Sequence, residues 1–136
     1  MSKEKISPLE KYYNKFNEEH RLTTRHGQVE FNTTMHFIHK YITENSSMKI
    51  LDIGAGTGRY SVTLQKEGHS VTAVEKVPRN LKVLEEKHSG VNCWPGDARD
   101  LHFLADERFD ITLLLGPLYH LHTEADRLQA LTEAKR

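Results

Sequence analysis

Apolar and polar positions divide the chain into two textures. From Met48 onward, short apolar runs alternate with amphipathic stretches. Before it, polar, aromatic and histidine residues prevail without a strand-like run. "MKILDI", "SVTAVE", "VNCWP" and "FDITLLL" predict four strands, the third the weakest. Three helices are predicted among them: "RYSVTLQKEG" closed by Gly68, "PRNLKVLEEKH" opened by Pro78, and "TEADRLQALTEAKR" beginning near Thr123. In the amino-terminal part, Ser7, Pro8 and Glu10 form a capping-box start for a helix whose apolar face is Leu9, Tyr12, Tyr13 and Phe16. A second helix is predicted from about Val29 to Glu44, with a stripe of Phe31, Met35, Ile38 and Ile42.

Nearly continuous apolar residues in the first and fourth strands predict burial on both faces. That means an α/β domain with a parallel sheet covered by helices and joined by right-handed crossovers. The organisation expected is a helical cap over residues 1–47 and the sheet domain over 48–136. "FDITLLL" is apolar enough to be central, yet no later run is available to pair with its outer side. The favoured expectation is a fragment of a larger domain. The alternative is that another chain supplies the missing strands, through a dimer or exchanged strands at the exposed fourth strand.

Composition narrows the function classes. Lys+Arg and Asp+Glu are both 19, so no global field draws in nucleic acid or an anionic membrane, although a local patch stays open. The apolar runs are too short to span a bilayer, and the amino terminus lacks a signal-peptide core. The single cysteine, Cys93, excludes an intrachain disulfide and fits a reducing compartment, so a cytoplasmic protein is expected.

The candidate chemistry centres on "LDIGAGTGR", residues 51–59, which holds three of the eight glycines. A strand turning tightly into a helix leaves free N–H groups, and glycine there permits positive φ and close approach of a ligand. Glu75 stands at the tip of the second strand, where a carboxylate can accept both hydrogen bonds of a ribose diol. These features point to an adenosine-containing ligand. A nicotinamide dinucleotide would ask for G-x-G-x-x-G, but position 59 is arginine.

"LDIGAGTGRY" resembles the first motif of the class I S-adenosylmethionine-dependent methyltransferases. "VTAVEK" resembles their second-strand motif, "GDARDL" the segment after the third strand, and "FDITLLLGPLYHL" the fourth strand and its loop. The resemblance covers about residues 48 to 136 in the family's order. It implies a Rossmann-like three-layer sandwich with strand order 3-2-1-4, the remaining strands of the family's sheet being absent. It also implies S-adenosylmethionine as cofactor. Gly54, Ala55, Gly56 and Gly58 would cradle its methionine and ribose, and Asp52 would orient the loop or reach the methionine ammonium. Glu75 would hold the ribose diol. Asp97 would accept from the adenine amino group, the Ala98 N–H would serve a ring nitrogen, and the carbonyl near Gly116 would face the ammonium.

Methyl transfer from a sulfonium is an in-line displacement, which needs alignment and exclusion of water more than a catalytic triad. Tyr119 and His120, in "GPLYHLH", are the catalytic candidates, His120 as a base with a reference pKa near neutrality. The loop lacks the N-P-P-Y sequence of enzymes that methylate amino groups of bases and glutamine. Tyr12, Tyr13, Arg25 and His26 are candidates for a lid, with packing and solvation as the plainer reading. No metal site is expected: the pairs His36/His39 and His120/His122 lack completing ligands. Cys93 is expected as a buried strand residue, and "EEK" at 85–87 as a solvated helix face. The function expected is methyl transfer to a small molecule. The alternatives are a truncated module that binds the cofactor without catalysis and a nicotinamide-dependent oxidoreductase.

Overall fold

A computed structural model describes residues 7–10, 24–43 and 46–136. The capping box is present at its start: Glu10 N–H donates to Ser7 Oγ and Ser7 N–H to the Glu10 carboxylate, each at 3.2 Å. Tyr12, Tyr13 and Phe16 lie outside the described residues.

Helix α1, Arg25–Lys40, begins four residues earlier than its apolar stripe suggests. Thr24 is the reason, because its hydroxyl accepts the Gly27 N–H at 3.1 Å and caps the helix. The other elements fall close to expectation. They are β1 Lys49–Ile53, α2 Arg59–Lys66, β2 Ser70–Glu75, α3 Pro78–Glu86, β3 Asn92–Pro95, β4 Ile111–Leu114 and α4 Glu124–Lys135. Pro78 opens α3, and the Thr123 side chain caps α4. A short 3₁₀ turn, Pro117–His120, was not anticipated from the sequence.

The strands form one parallel sheet in the order β3-β2-β1-β4. Successive side chains alternate across it. Ile50, Val71 and Leu113 meet Met35, Ile38, Tyr60 and Leu64 of α1 and α2 on one face. Leu51, Ile53 and Val74 meet Leu101 on the other, with Leu104, Phe109 and Ala134 of α4 closing over them. Thus α1 joins the core of the sheet.

Three expectations about burial need correction. In β4 only Leu113 is fully buried, and Leu115 just beyond it is 50% exposed, because β4 is an edge of this sheet. Cys93 is only partly buried on the opposite edge strand, its thiol 3.4 Å from the Val91 carbonyl. Glu85 and Glu86 are solvated, but Lys87 reaches back to donate to the Thr57 carbonyl at 2.7 Å.

Candidate cofactor site

The turn after β1 leaves the sheet between β1 and β2. Gly54 and Ala55 N–H groups both donate to the Val74 carbonyl, at 2.8 and 3.1 Å, fixing the start of the turn to the neighbouring strand. Gly54, Gly56 and Gly58 all have positive φ, at 73°, 62° and 87°. Two of them also meet a packing demand. A Cβ at Gly54 would lie 2.4 Å from Pro117 Cγ, and one at Gly58 would lie 2.0 Å from Leu84 Cδ1. The glycine spacing therefore admits α3 and the loop after β4, in addition to any ligand.

Glu75 ends β2 beside this turn, with its carboxylate over it. Oε2 accepts the Gly56 N–H at 2.5 Å, and Oε1 accepts the Val77 N–H at 3.0 Å. Asp52 lies beneath the turn, buried, and accepts from the Ser61 hydroxyl at 2.7 Å. That bond ties β1 to α2. Burial pushes the Asp52 carboxyl up to about 6, against the Ser61 hydrogen bond and with help from the nearby Glu75 charge.

Asp97 follows β3, with Ala98 next to it. All four lone-pair directions of its carboxylate are engaged. Arg99 donates from its backbone N–H and Nε to Oδ1, at 2.9 and 3.0 Å, and from a terminal nitrogen to Oδ2 at 2.7 Å. Lys76 Nζ stands 3.1 Å from Oδ2. The Arg99 hydrogen bonds lead in holding the carboxyl well below the usual carboxylate range. Arg99 also reaches Asp126 of α4 at 3.3 Å, so this ionic group links the loop after β3 to the last helix.

The loop after β4 carries the remaining candidates. Pro117 packs on Gly54, which brings the 3₁₀ turn against the glycine turn. The Gly116 carbonyl accepts the Tyr119 N–H at 3.1 Å within that turn. Tyr119 is 90% exposed, and its ring meets His120 edge-on at 6.4 Å. The Arg25 and His26 side chains are exposed on α1. His39 engages Glu67 at 2.9 Å at the far end of α2.

Sequence reasoning missed a set of orphaned polar atoms. Among the described residues, Thr57 Oγ1, Arg59 Nε and Asn80 Nδ2 are buried without a hydrogen-bond partner. Thr57 and Arg59 flank the last glycine of the turn, and Asn80 shares a face of α3 with Leu84 and Lys87, which touch the turn. Buried polar groups are nearly always satisfied, so three orphans around one turn fit a polar ligand there. The helix-start position of Arg59 was a signal in the sequence; the isolation of Asn80 was not. A separate cavity of about 210 Å³, lined in part by Leu51, Leu101 and Ala134, holds none of these residues.

A family model described as "Methyltransferase domain" matches residues 50–136. The chain is 30% identical over 109 residues to a glycine/sarcosine N-methyltransferase of Aphanothece halophytica, covering 71% of this chain and 38% of that protein. It is 36% identical over 84 residues to the cypemycin N-terminal methyltransferase of a Streptomyces species, covering 60% and 34%. Among solved structures, a SAM-dependent methyltransferase of Methanosarcina mazei is similar with a TM-score of 0.63 and 26% identity, over 71% of this chain and 49% of that one. A Pyrococcus horikoshii protein reaches a TM-score of 0.78 at 24% identity, over 93% and 59%, a likeness of fold. The chain spans less than two thirds of the length of each of these relatives. A family model that takes in well over half of the chain, on a sheet wound 3-2-1-4 about a glycine turn, leaves one conclusion: the chain belongs to the class I S-adenosylmethionine-dependent methyltransferases.

Proposed function

We propose that this chain is the cofactor-binding part of an enzyme that methylates a small-molecule acceptor. S-adenosylmethionine, when bound, supplies an electrophilic sulfonium methyl group. The residues of this chain bind, orient and exclude water around it. The observation that carries the reading is the Glu75 carboxylate at the glycine turn, positioned to exchange its Gly56 contact for a ribose diol. Ala55, Gly56 and Gly58 line the ribose and methionine side of the site, while Asp52 acts from below through Ser61. The Ala98 N–H serves an adenine ring nitrogen. Asp97 serves the adenine amino group only after Arg99 or Lys76 yields a lone pair, since both now hold it. The Gly116 carbonyl keeps a second lone pair for the methionine ammonium.

Tyr119 and His120 are assigned to the acceptor. Pro117 packing on Gly54 supports this, because it sets their loop beside the cofactor turn. His120 then takes a proton from an acceptor that must lose one. The curated relatives are named as a glycine/sarcosine N-methyltransferase and a cypemycin N-terminal methyltransferase, so an amine acceptor comes within the proposal. Residues 1–47 are assigned as a helical cap, and a cytoplasmic setting suits the lone thiol.

A second reading has an observation of its own. The chain spans under two thirds of its relatives, and β4 is an open edge carrying exposed Leu115, with Leu128 and Leu131 exposed on α4. Under this reading the chain binds cofactor without completing catalysis, or associates through that edge. Among the described residues no helix is long and apolar enough to cross a membrane.

Calorimetry with S-adenosylmethionine, S-adenosylhomocysteine and NAD tests the first reading, with binding of the first two and not the third as the expected result. Binding of NAD alone would overturn it. Methyl-transfer assays on this chain and on the intact gene product separate the two readings. Sedimentation at rising concentration tests the edge, and a monomer throughout would remove association.

A further inference from the structure

Arg59 is the first residue of α2, directly after the left-handed Gly58. Its guanidinium carbon sits 4.3 Å from the centre of the Phe31 ring, and Phe31 stacks in turn on Tyr60 at 5.0 Å. The side chain is half-buried, its Nε is fully buried, and it makes no hydrogen bond or ion pair with a described residue. Three other arginines are engaged. Arg99 holds Asp97 and Asp126, Arg136 holds Asp106 and Glu133, and Arg127 holds the Leu121 carbonyl. A planar cation fixed on an aromatic face and left without an anion is pre-organised for one.

Its surroundings offer more donors. Gly58, the N-cap of α2, has no side chain to cap the helix. Thr57 is 4% exposed, and its hydroxyl is one of the orphans. A guanidinium, a buried hydroxyl and an uncapped helix start thus fall within five consecutive residues. The acids Asp52 and Glu75 also bond to this turn and helix start, through Ser61 and Gly56. They oppose a dianion such as a phosphate and favour a group whose single negative charge is accompanied by an ammonium. That is the head of an α-amino acid.

We infer that Arg59, held on Phe31, binds the carboxylate of an α-amino-acid group at the mouth of the glycine turn. This rests on the reading of that turn as the cofactor cradle. Two sources share the chemistry: the methionyl end of the cofactor and an amino-acid acceptor.

The test is calorimetry on the 136-residue chain and its Arg59→Met and Arg59→Lys variants. Each is titrated with S-adenosylhomocysteine and with methylthioadenosine, which lacks the amino-acid end. Each is also titrated with glycine after saturation with S-adenosylhomocysteine. If Arg59 holds the cofactor's carboxylate, Arg59→Met binds S-adenosylhomocysteine about 10- to 100-fold more weakly, the range for a charge-assisted hydrogen bond, and methylthioadenosine equally well. If it holds the acceptor's, S-adenosylhomocysteine affinity is kept and the glycine heat of the wild type disappears. Arg59→Lys retains the charge without the fork and falls between. It carries the test alone if thermal melting shows that Arg59→Met does not fold. Equal affinities for all three ligands in wild type and both variants overturn the inference, as does an equal loss for both nucleosides. A wild-type chain that binds neither nucleoside fails differently, by removing the cofactor reading itself.

Discussion

The Glu75 carboxylate spans two helix starts, accepting the Gly56 N–H from the turn before α2 and the Val77 N–H at the cap of α3. One buried acid thus organises both walls of the proposed ribose site before any ligand arrives. Glu75→Ala is expected to weaken S-adenosylhomocysteine binding by about 1–3 kcal/mol, the range for losing charge-assisted hydrogen bonds. It should also lower stability, because two amides lose their acceptor. Glu75→Gln, which keeps one acceptor oxygen, should lose less on both counts. Calorimetry and thermal melting check the pair, and an Ala variant with wild-type affinity would exclude the ribose role.

Gly54 and Gly58 are constrained twice, by positive φ and by the neighbour that a Cβ would strike. Gly58→Ala meets Leu84 in the interior, so the cost is expected in stability, at about 1–3 kcal/mol for an overpacked core. Gly54→Ala meets Pro117 in a surface loop, which has more room to shift. Beyond the strain of a side chain at positive φ, its cost should fall on the alignment of Tyr119 and His120, reducing the methyl-transfer rate of the intact enzyme. Equal melting temperatures for wild type and Gly58→Ala would show that Leu84 yields freely.

Asp52 gives a pH signature. Its carboxyl is pushed up from 3.8 to about 6 in the folded chain, chiefly by burial. Between those values the folded state holds a proton that the unfolded state has released. Stability therefore falls as pH rises from about 4 to about 6 and levels off above, by at most about 3 kcal/mol. Asp52→Asn should remove this slope. The difference in unfolding free energy between wild type and Asp52→Asn, followed by urea denaturation across that range, isolates it from the other groups. A difference that does not vary with pH would show that Asp52 titrates normally.

Arg99 competes for the group assigned to adenine. With every lone pair of Asp97 engaged, an adenine amino group must displace a cationic donor. Arg99→Met is expected to tighten binding of S-adenosylhomocysteine and to change stability by no more than about 1 kcal/mol, since the ion pairs are partly exposed. Asp97→Asn should weaken binding. If Arg99→Met weakens it as much as Asp97→Asn does, the intact ion group is what shapes the adenine site.

Much of the fold was legible because its signals are local. Glu75 ends the run "SVTAVE", which is β2 residue for residue, and Pro78 and Thr123 mark helix starts by their own chemistry. The start of α1 was misjudged because its first turn is exposed apart from Gly27. The apolar stripe begins only at Phe31, and the Thr24 cap lies outside the periodic pattern. Cys93 and β4 were judged too buried, since an apolar run reads the same in a central strand and at an edge.

The sequence by itself determined the order of strands and helices, the glycine turn and the acid one strand away, because each depends on residues close together in the chain. Only the tertiary structure decided what those residues touch. Pro117 on Gly54, Leu84 on Gly58, Arg99 on Asp126 and Arg59 on Phe31 all join separate elements. Such contacts follow from how helices seat on a twisted sheet. A spacing in sequence fixes the face on which a side chain stands, while its partner is set by the packing of the whole domain.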